Sequence, residues 1–159
     1  MTRVALEPAA DGDIALLHAM LLELGASDGV GDIRTTEASL RAALFGPAPL
    51  VVGHVLRRDG AAAGFTLHSW KWGTFTGVRD LYVNALYVRP EHRRHGVARA
   101  AMAGLARIAV ASGCSRIEWL TVHAKADTAA FYDAVGSAPA RHMAVRRLQG
   151  AALAALASG

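Results

Sequence analysis

One segment constrains the fold of this chain more than any other. A strand-like run at 81–88 leads into a helix-like run from about 96 to 111, and a second apolar run follows at 117–122. Two strands that a helix joins within one sheet are expected to be parallel, since a parallel connection needs a long crossover. The segment therefore predicts a β-α-β unit at the centre of the molecule.

Further strands and helices are expected before and after this unit. Residues 50–56 and 62–69 flank an Asp59-Gly60 dipeptide, which predicts an antiparallel hairpin. A short strand is expected at 2–7 and a last strand at 141–148. Helices are predicted from Asp11 or Asp13 to Gly25, from Thr35-Thr36 to about Leu44, and from Asp127 to Gly136, each placed by cap and stop residues. Together these elements predict an α/β (α+β) fold, a sheet flanked by helices.

Composition limits the class of protein. The chain has 159 residues, of which 53% are hydrophobic and 19% charged, so a disordered or collagen-like chain is excluded. No apolar run approaches the roughly 18 residues that cross a bilayer, and the first residues do not resemble a signal peptide. Cys114 is the only cysteine, which rules out an intrachain disulfide and argues against a metal site built on cysteines. We expect a single domain over 1–159, cytoplasmic, with no metal and no membrane partner.

Positive charge is concentrated in one place. The net charge is +4, but four arginines and two histidines lie within eleven residues and are opposed only by Glu91; they are Arg89, His92, Arg93, Arg94, His95 and Arg99. Such a cluster suits phosphate oxygens, although a solvated surface turn is the alternative. Binding to nucleic acid is not expected, because the cluster lacks interleaved aromatic residues on which bases could stack.

The cluster sits where a strand passes through a turn into a helix. The first N–H groups of a helix lack partners within the helix, and the helix dipole makes that end positive. A pyrophosphate could bind the N–H groups of residues 94–98, and Gly96 would let it approach the backbone closely. The glycine spacing fits neither the dinucleotide fingerprint nor a Walker loop.

These residues resemble a known family. Arg93-Arg94-His95-Gly96-Val97-Ala98 is similar to the R-x-x-G-x-A form of the acetyl-CoA motif in the GNAT superfamily of N-acetyltransferases. Residues 130–136 resemble its second motif. Gly64-Phe65, Leu81-Tyr82 and residues 114–132 look like the spermidine/spermine and thialysine acetyltransferase branch. The resemblance implies a mixed, mostly antiparallel sheet of six to seven strands, splayed parallel strands 4 and 5, and a homodimer.

The resemblance also implies roles for particular residues. Acetyl-CoA would be the co-substrate, its pantetheine arm pairing with the backbone of Leu86, Tyr87 and Val88. Its pyrophosphate would lie on Arg93, Arg94, His95, Gly96, Val97 and Ala98. Tyr132 would protonate the departing thiolate, which is reasonable because a tyrosine of pKa ~10 is protonated at neutral pH.

The chain departs from the family pattern at two informative positions. Lys125 stands where many relatives carry an asparagine that contacts pantetheine; a lysine could reach a phosphate instead. Asn84-Ala85 replaces the Glu-Asp pair of the polyamine branch. Asn84 cannot act as a base but could orient a water or the amine. His123 and Glu118 are open alternatives for the base.

The expected reaction is transfer of an acetyl group from acetyl-CoA to the primary amine of a small molecule by direct attack. Cys114 is expected to pack rather than to carry the acyl group. The alternatives are a CoA-binding module with impaired catalysis and an enzyme that acts on a protein amine. Acids that could attract a cationic acceptor, or belong to a solvated loop, are Glu23, Asp28 and Asp32. Aromatic residues that could wall the acceptor, or pack in a core or interface, are Trp70, Trp72 and Phe75.

Overall fold

The computed structural model describes residues 3–121 and 126–158. These residues form two compact units, Met1–Ala124 and Lys125–Gly159. Within the described residues the strands are β1 (Val4–Pro8), β2 (Val52–Arg58), β3 (Ala61–Trp72), β4 (Arg79–Val88) and β5 (Ile117–Trp119). The helices are α1 (Ile14–Asp28), α2 (Glu37–Phe45), α3 (Val97–Ala111), α4 (Ala126–Ala134) and α5 (Gly150–Ser158). Each of these helices is too short or too polar to span a membrane.

The first unit contains one mixed sheet in the order β1-β2-β3-β4-β5. The pairs β1–β2, β2–β3 and β3–β4 are antiparallel, and the pair β4–β5 is parallel, as the crossover predicts. The β2–β3 hairpin turns at Asp59 and Gly60, whose φ angles of 51° and 86° suit a tight hairpin turn. The predicted hairpin and the predicted parallel pair are therefore confirmed.

Helices cover both faces of the sheet. On one face α1 and α2 pack against side chains of the three central strands, among them Val55, Phe65 and Tyr87. On the other face Val97 and Ala101 of α3 form a smaller cluster with residues of the first four strands: Val4, Leu6, Leu56, Ala63, Leu86 and Val88. Successive residues of a strand face opposite sides of a sheet, so both helical layers have an apolar surface on which to pack.

Two predicted features of the fold are wrong. The described residues contain five strands rather than six to seven, because the expected strand at 141–148 does not form. Met143 and Val145 are 61% and 64% exposed, so the apolar positions of that run bury no face on a sheet. In addition, α1 does not end at Gly25 but continues to Asp28. A Cβ at position 25 would overlap the side chain of Ile33, so this glycine allows a close contact rather than ending the helix.

Candidate active site

The candidate site begins at the turn between β4 and α3. Gly96 precedes the helix with φ 75°, and Arg94 also has a positive φ, 62°. A positive φ is uncommon for a residue with a side chain and costs about 1 kcal/mol or more, so it persists only where the surroundings impose it. Alternating backbone conformations of this kind turn successive N–H groups toward a common point and create a concave site for an anion.

The N-terminus of α3 adds to this anion site. The first hydrogen bond of the helix runs from Ala100 N–H to the carbonyl of Gly96, at 2.9 Å. The N–H groups of Val97 and Ala98 therefore precede the helical ladder and face the turn. Val97 is 2% exposed and Ala101 fully buried, which fixes the helix end against the sheet. The turn predicted to bind a pyrophosphate thus has a suitable backbone geometry.

The edge of β4 next to this turn is open. Its pairing with β5 covers only Leu81, Val83 and the residue between them. Arg89 N–H bonds to Ala63 of β3, and alternation along the strand directs the backbone groups of Leu86 and Val88 to the opposite edge. Among the described residues no strand pairs with that edge beyond Val83. An extended ligand could add to it as a further strand would.

A β-bulge lies between the paired and the open parts of β4. Leu67 pairs with Ala85 and the next residue, His68, pairs with Val83, which leaves Asn84 as the extra residue. Asn84 is exposed. Sequence patterning did not predict this bulge, although it lies at the position where the family resemblance places acceptor chemistry.

Basic side chains surround the turn, and one of them contacts β4. Arg93 donates from Nε to the carbonyl of Val88 at 2.9 Å, and its guanidinium lies 6.0 Å from the ring centre of Tyr87. Arg94 and His95 are exposed. Arg89 of the same cluster is engaged elsewhere, in an ion pair with Glu23.

The acidic residues expected near an acceptor are largely neutralised. Glu23 pairs with Arg89 at 2.8 Å, and Asp32 pairs with Arg34 at 2.7 Å. The hydrogen bond from Arg89 holds the pKa of Glu23 below its usual range. These two carboxylates therefore offer little attraction to a polycationic acceptor.

The exposed aromatic residues lie at the other end of β4. Trp72 pairs with Arg79 at the start of that strand, whereas the basic turn follows its last residue. Phe75, in the hairpin loop, is fully exposed. Trp70, Lys71, Trp72 and Arg79 line a shallow depression of about 300 Å³ there. An aromatic wall beside the anion site is therefore not formed by Trp72 or Phe75.

Two candidate reactive groups are held in other contacts. Glu118 of β5 pairs with Lys71 and with Arg116, at 2.5 and 3.4 Å, so its carboxylate is shared between two cations. Burial raises the pKa of the Cys114 thiol, which reduces the thiolate that a nucleophile needs. The ion pairs of Glu118 therefore do not favour its action as a general base. The raised pKa of Cys114 does not favour its action as an acyl carrier.

The second unit carries the predicted general acid. Tyr132 lies on α4, half-buried, with its ring centre 5.2 Å from that of Phe131. Ser137 donates from both N and Oγ to the Tyr132 carbonyl and closes the end of the helix. Lys125 and His123 lie outside the described residues.

Known proteins similar to this chain support the resemblance. The model of the Acetyltransferase (GNAT) family matches residues 19–136. A thialysine N-epsilon-acetyltransferase from Sus scrofa is 30% identical, over 73% of this chain and 73% of its own length.

Solved structures show the same fold. An integron cassette protein from V. cholerae superimposes with a TM-score of 0.83 at 22% identity, over 98% of both chains. The aminoglycoside N-acetyltransferase AAC(6')-Iy, solved in complex with CoA, superimposes with a TM-score of 0.73 at 15% identity, over 94% of this chain and 97% of its own.

Proposed function

Since the chain belongs to the Acetyltransferase (GNAT) family and is an acetyl-CoA-dependent N-acetyltransferase, we propose that it acetylates the primary amine of a small molecule by direct attack on the thioester. The observation that carries the proposal is the junction of β4 and α3. An open strand edge at 86–88 leads directly into a turn whose N–H groups converge at a helix N-terminus.

The proposed binding mode assigns each part of acetyl-CoA to one feature of this junction. The pantetheine arm adds to the backbone of Leu86, Tyr87 and Val88, and the pyrophosphate binds the turn. The turn residues concerned are Arg93, Arg94, His95, Gly96, Val97 and Ala98. Holding the thioester in a fixed orientation supplies much of the catalysis, and N–H groups at the strand edge would polarise its carbonyl.

The proposed chemistry forms an amide and releases a thiol. The neutral amine attacks the thioester carbonyl, the C–S bond breaks, and the thiolate of CoA takes a proton from the hydroxyl of Tyr132. Bulk water then returns a proton to Tyr132, and the acceptor nitrogen loses its extra proton to water. Asn84, on the exposed bulge, would orient the amine or that water through its amide oxygen.

The proposed acceptor carries few positive charges. Glu23 and Asp32 are paired with arginines, and Asn84-Ala85 stands where the polyamine branch carries two acids. An amino acid with a side-chain amine, whose carboxylate offsets one of its ammonium groups, fits this environment better than a polyamine. The name of the Sus scrofa relative, a thialysine acetyltransferase, indicates an acceptor of that type.

Acetyl-CoA turnover with a panel of amines tests the proposal. The panel contains thialysine, lysine, spermidine and an aminoglycoside, with wild type set beside Tyr132→Phe. We expect turnover with an amino-acid amine and a loss of kcat of about 100-fold in the variant, with little change in KM. CoA binding without turnover of any amine would contradict the proposed acceptor class, and an unchanged kcat in Tyr132→Phe would contradict the role of that residue.

Four further expectations stay predictions. They are a contribution of Lys125 to cofactor binding, formation of a homodimer, a cytoplasmic location and a single domain over 1–159.

A further inference from the structure

An ion pair joins α1 to the residue that follows β4. Glu23 receives two hydrogen bonds from Arg89, to Oε2 from Nε at 3.1 Å and to Oε1 from Nη2 at 2.8 Å. This two-pronged geometry is the arrangement in which an arginine and a carboxylate fix each other most firmly. Arg89 also donates to β3, from Nη1 to Ala62 at 3.4 Å and from its backbone N–H to Ala63 at 2.9 Å. Contacts from α1 and β3 therefore fix the position of Arg89.

Tyr87 joins the same pair. Its side chain is 5% exposed, packs 6.1 Å from the ring of Phe65, and lies close enough to Glu23 for that carboxylate to influence its hydroxyl. Burial, and then the neighbouring Glu23, raise the pKa of Tyr87, so its hydroxyl stays protonated. The bond from Arg89 lowers the pKa of Glu23, so the carboxylate stays charged and accepts. The carboxylate of Glu23 on α1 thus receives two hydrogen bonds from Arg89 and also lies near the hydroxyl of Tyr87.

Arg89 is also the first residue of the segment that leads to the anion site. A short helical turn at Pro90–His92 follows it, and then come Arg93 and the turn to Gly96. The far end of this segment is fixed by Val97, which packs in the core. The near end is fixed by the bonds of Arg89 to Glu23 and β3. The position of the turn relative to the open edge of β4 therefore depends on that pair.

We infer that Glu23 and Arg89 are positioning residues for acetyl-CoA, which act by holding the 93–98 turn in register with the strand edge at 86–88. The inference rests on the proposed role of that turn. Neither residue is required to touch the cofactor or the reacting atoms. Loss of the pair would lower affinity for acetyl-CoA, while turnover of the bound cofactor would change little.

A double-mutant cycle tests the inference. Glu23→Gln keeps the length of the side chain, Arg89→Gln keeps part of its aliphatic stem, and both remove the charge; they are tested alone and combined. With saturating acceptor, each single variant is expected to raise the KM for acetyl-CoA about fivefold to tenfold, with kcat within about twofold of wild type. The dissociation constant of CoA from calorimetry should rise in parallel. The double variant should resemble the single variants, because either substitution already removes the pair.

A matched control separates positioning from general destabilisation. Asp11 and Arg41 form another ion pair within the same unit, at 2.7 Å, which is more exposed than the Glu23–Arg89 pair and includes no residue of the 89–98 segment. Asp11→Asn should leave the KM for acetyl-CoA unchanged. Arg89→Lys provides a second test, since it keeps the charge but loses the two-pronged geometry, and should raise the KM even if Glu23→Gln fails to fold.

Three results would overturn the inference. They are an unchanged KM in the Glu23 and Arg89 variants, an equal rise in Asp11→Asn, and full additivity in the double variant, which would mean that Arg89 contacts the cofactor itself. The proposed cofactor site fails by a different result, namely absence of CoA binding by the wild type. A wild type that binds CoA, together with a Glu23→Gln variant that binds it equally well, would remove only the positioning role.

Discussion

Arg93 lies against the last residue of β4: its Nε donates to the carbonyl oxygen of Val88 over 2.9 Å. This contact places a guanidinium where the open strand edge meets the basic turn. An arginine there can neutralise a phosphate and still be oriented by the strand, since its planar group presents several donors at once.

Replacing Arg93 by Gln should raise the KM for acetyl-CoA about tenfold, because one charged partner of the diphosphate is lost. The kcat at saturating acetyl-CoA should change little. Arg107→Gln is the control, since Arg107 is an exposed arginine on the same helix but far from its N-terminus. Steady-state kinetics check the prediction, and equal effects of the two substitutions would speak against a specific role for Arg93.

Gly64 allows β3 and β4 to approach closely. A Cβ at this position would overlap the carbonyl oxygen of Tyr87, which is backbone and cannot rotate away. Gly64→Ala should therefore lower the free energy of unfolding by about 1–3 kcal/mol and disturb the edge at 86–88. Gly12→Ala, where a Cβ meets nothing within 4 Å, is the matched control. Urea unfolding measures both, and a Gly64→Ala protein as stable as wild type would show that the strands can separate without cost.

His68 should make stability depend on pH. It is 1% exposed and lies 5.5 Å from His54, ring centre to ring centre. Burial, and then the neighbouring His54, lower the pKa of His68 to about 4. The folded state resists protonation while the unfolded state accepts it near pH 6.5, so stability is complete above about 6.5 and falls as the pH drops toward 4.

Protonation linked to His68 is expected to lower the free energy of unfolding by about 2 kcal/mol as the pH falls from about 7.5 to about 5. His68→Leu should flatten the dependence in this window, whereas His142→Gln, at an exposed position, should not. Urea unfolding across the window measures the slope. If His68→Leu retains the wild-type slope, His68 is not the group that titrates.

Asp80 fixes the start of the β4–β5 pair. It is 1% exposed, accepts from Ser115 Oγ at 2.6 Å, and pairs with Arg116 Nε at 2.9 Å. The bond from Ser115, and then the charge of Arg116, outweigh burial and hold the pKa of Asp80 below its usual range. The carboxylate therefore stabilises the fold above about pH 4, and this contribution is lost as the pH falls below that.

Asp80→Asn should cost about 1–3 kcal/mol of unfolding free energy at neutral pH, because a buried acceptor of two hydrogen bonds becomes uncharged. Asp32→Asn removes an exposed pair with Arg34 and should cost less than about 0.5 kcal/mol. Chemical denaturation compares them. Similar small losses in both would show that the Asp80 contacts contribute no more than a surface pair.

Local signals predicted much of the fold. Thr36 caps α2 through its hydroxyl, Asp59-Gly60 forms the hairpin turn, and Gly96 precedes α3 with a positive φ. Each of these residues acts through its own backbone or through neighbours a few positions away, so the sequence pattern was sufficient to find it.

Features that depend on distant residues were missed. The helix α1 continues past Gly25, where the absence of a side chain leaves room for Ile33. The Glu23–Arg89 pair joins residues 66 positions apart. The bulge at Asn84 depends on the register between two strands, which a single strand pattern does not encode. The run at 141–148 has a strand-like pattern but buries no face.

A calorimetric titration of CoA into wild type and Gly96→Val tests the central claim most directly. The claim is that the backbone donors around Gly96 bind the diphosphate. The account predicts saturable binding by wild type and at least about tenfold weaker binding by the variant, because a branched side chain disfavours the positive φ and shields the N–H groups. Absence of heat with wild type at millimolar CoA, or equal affinity of the two proteins, would contradict it.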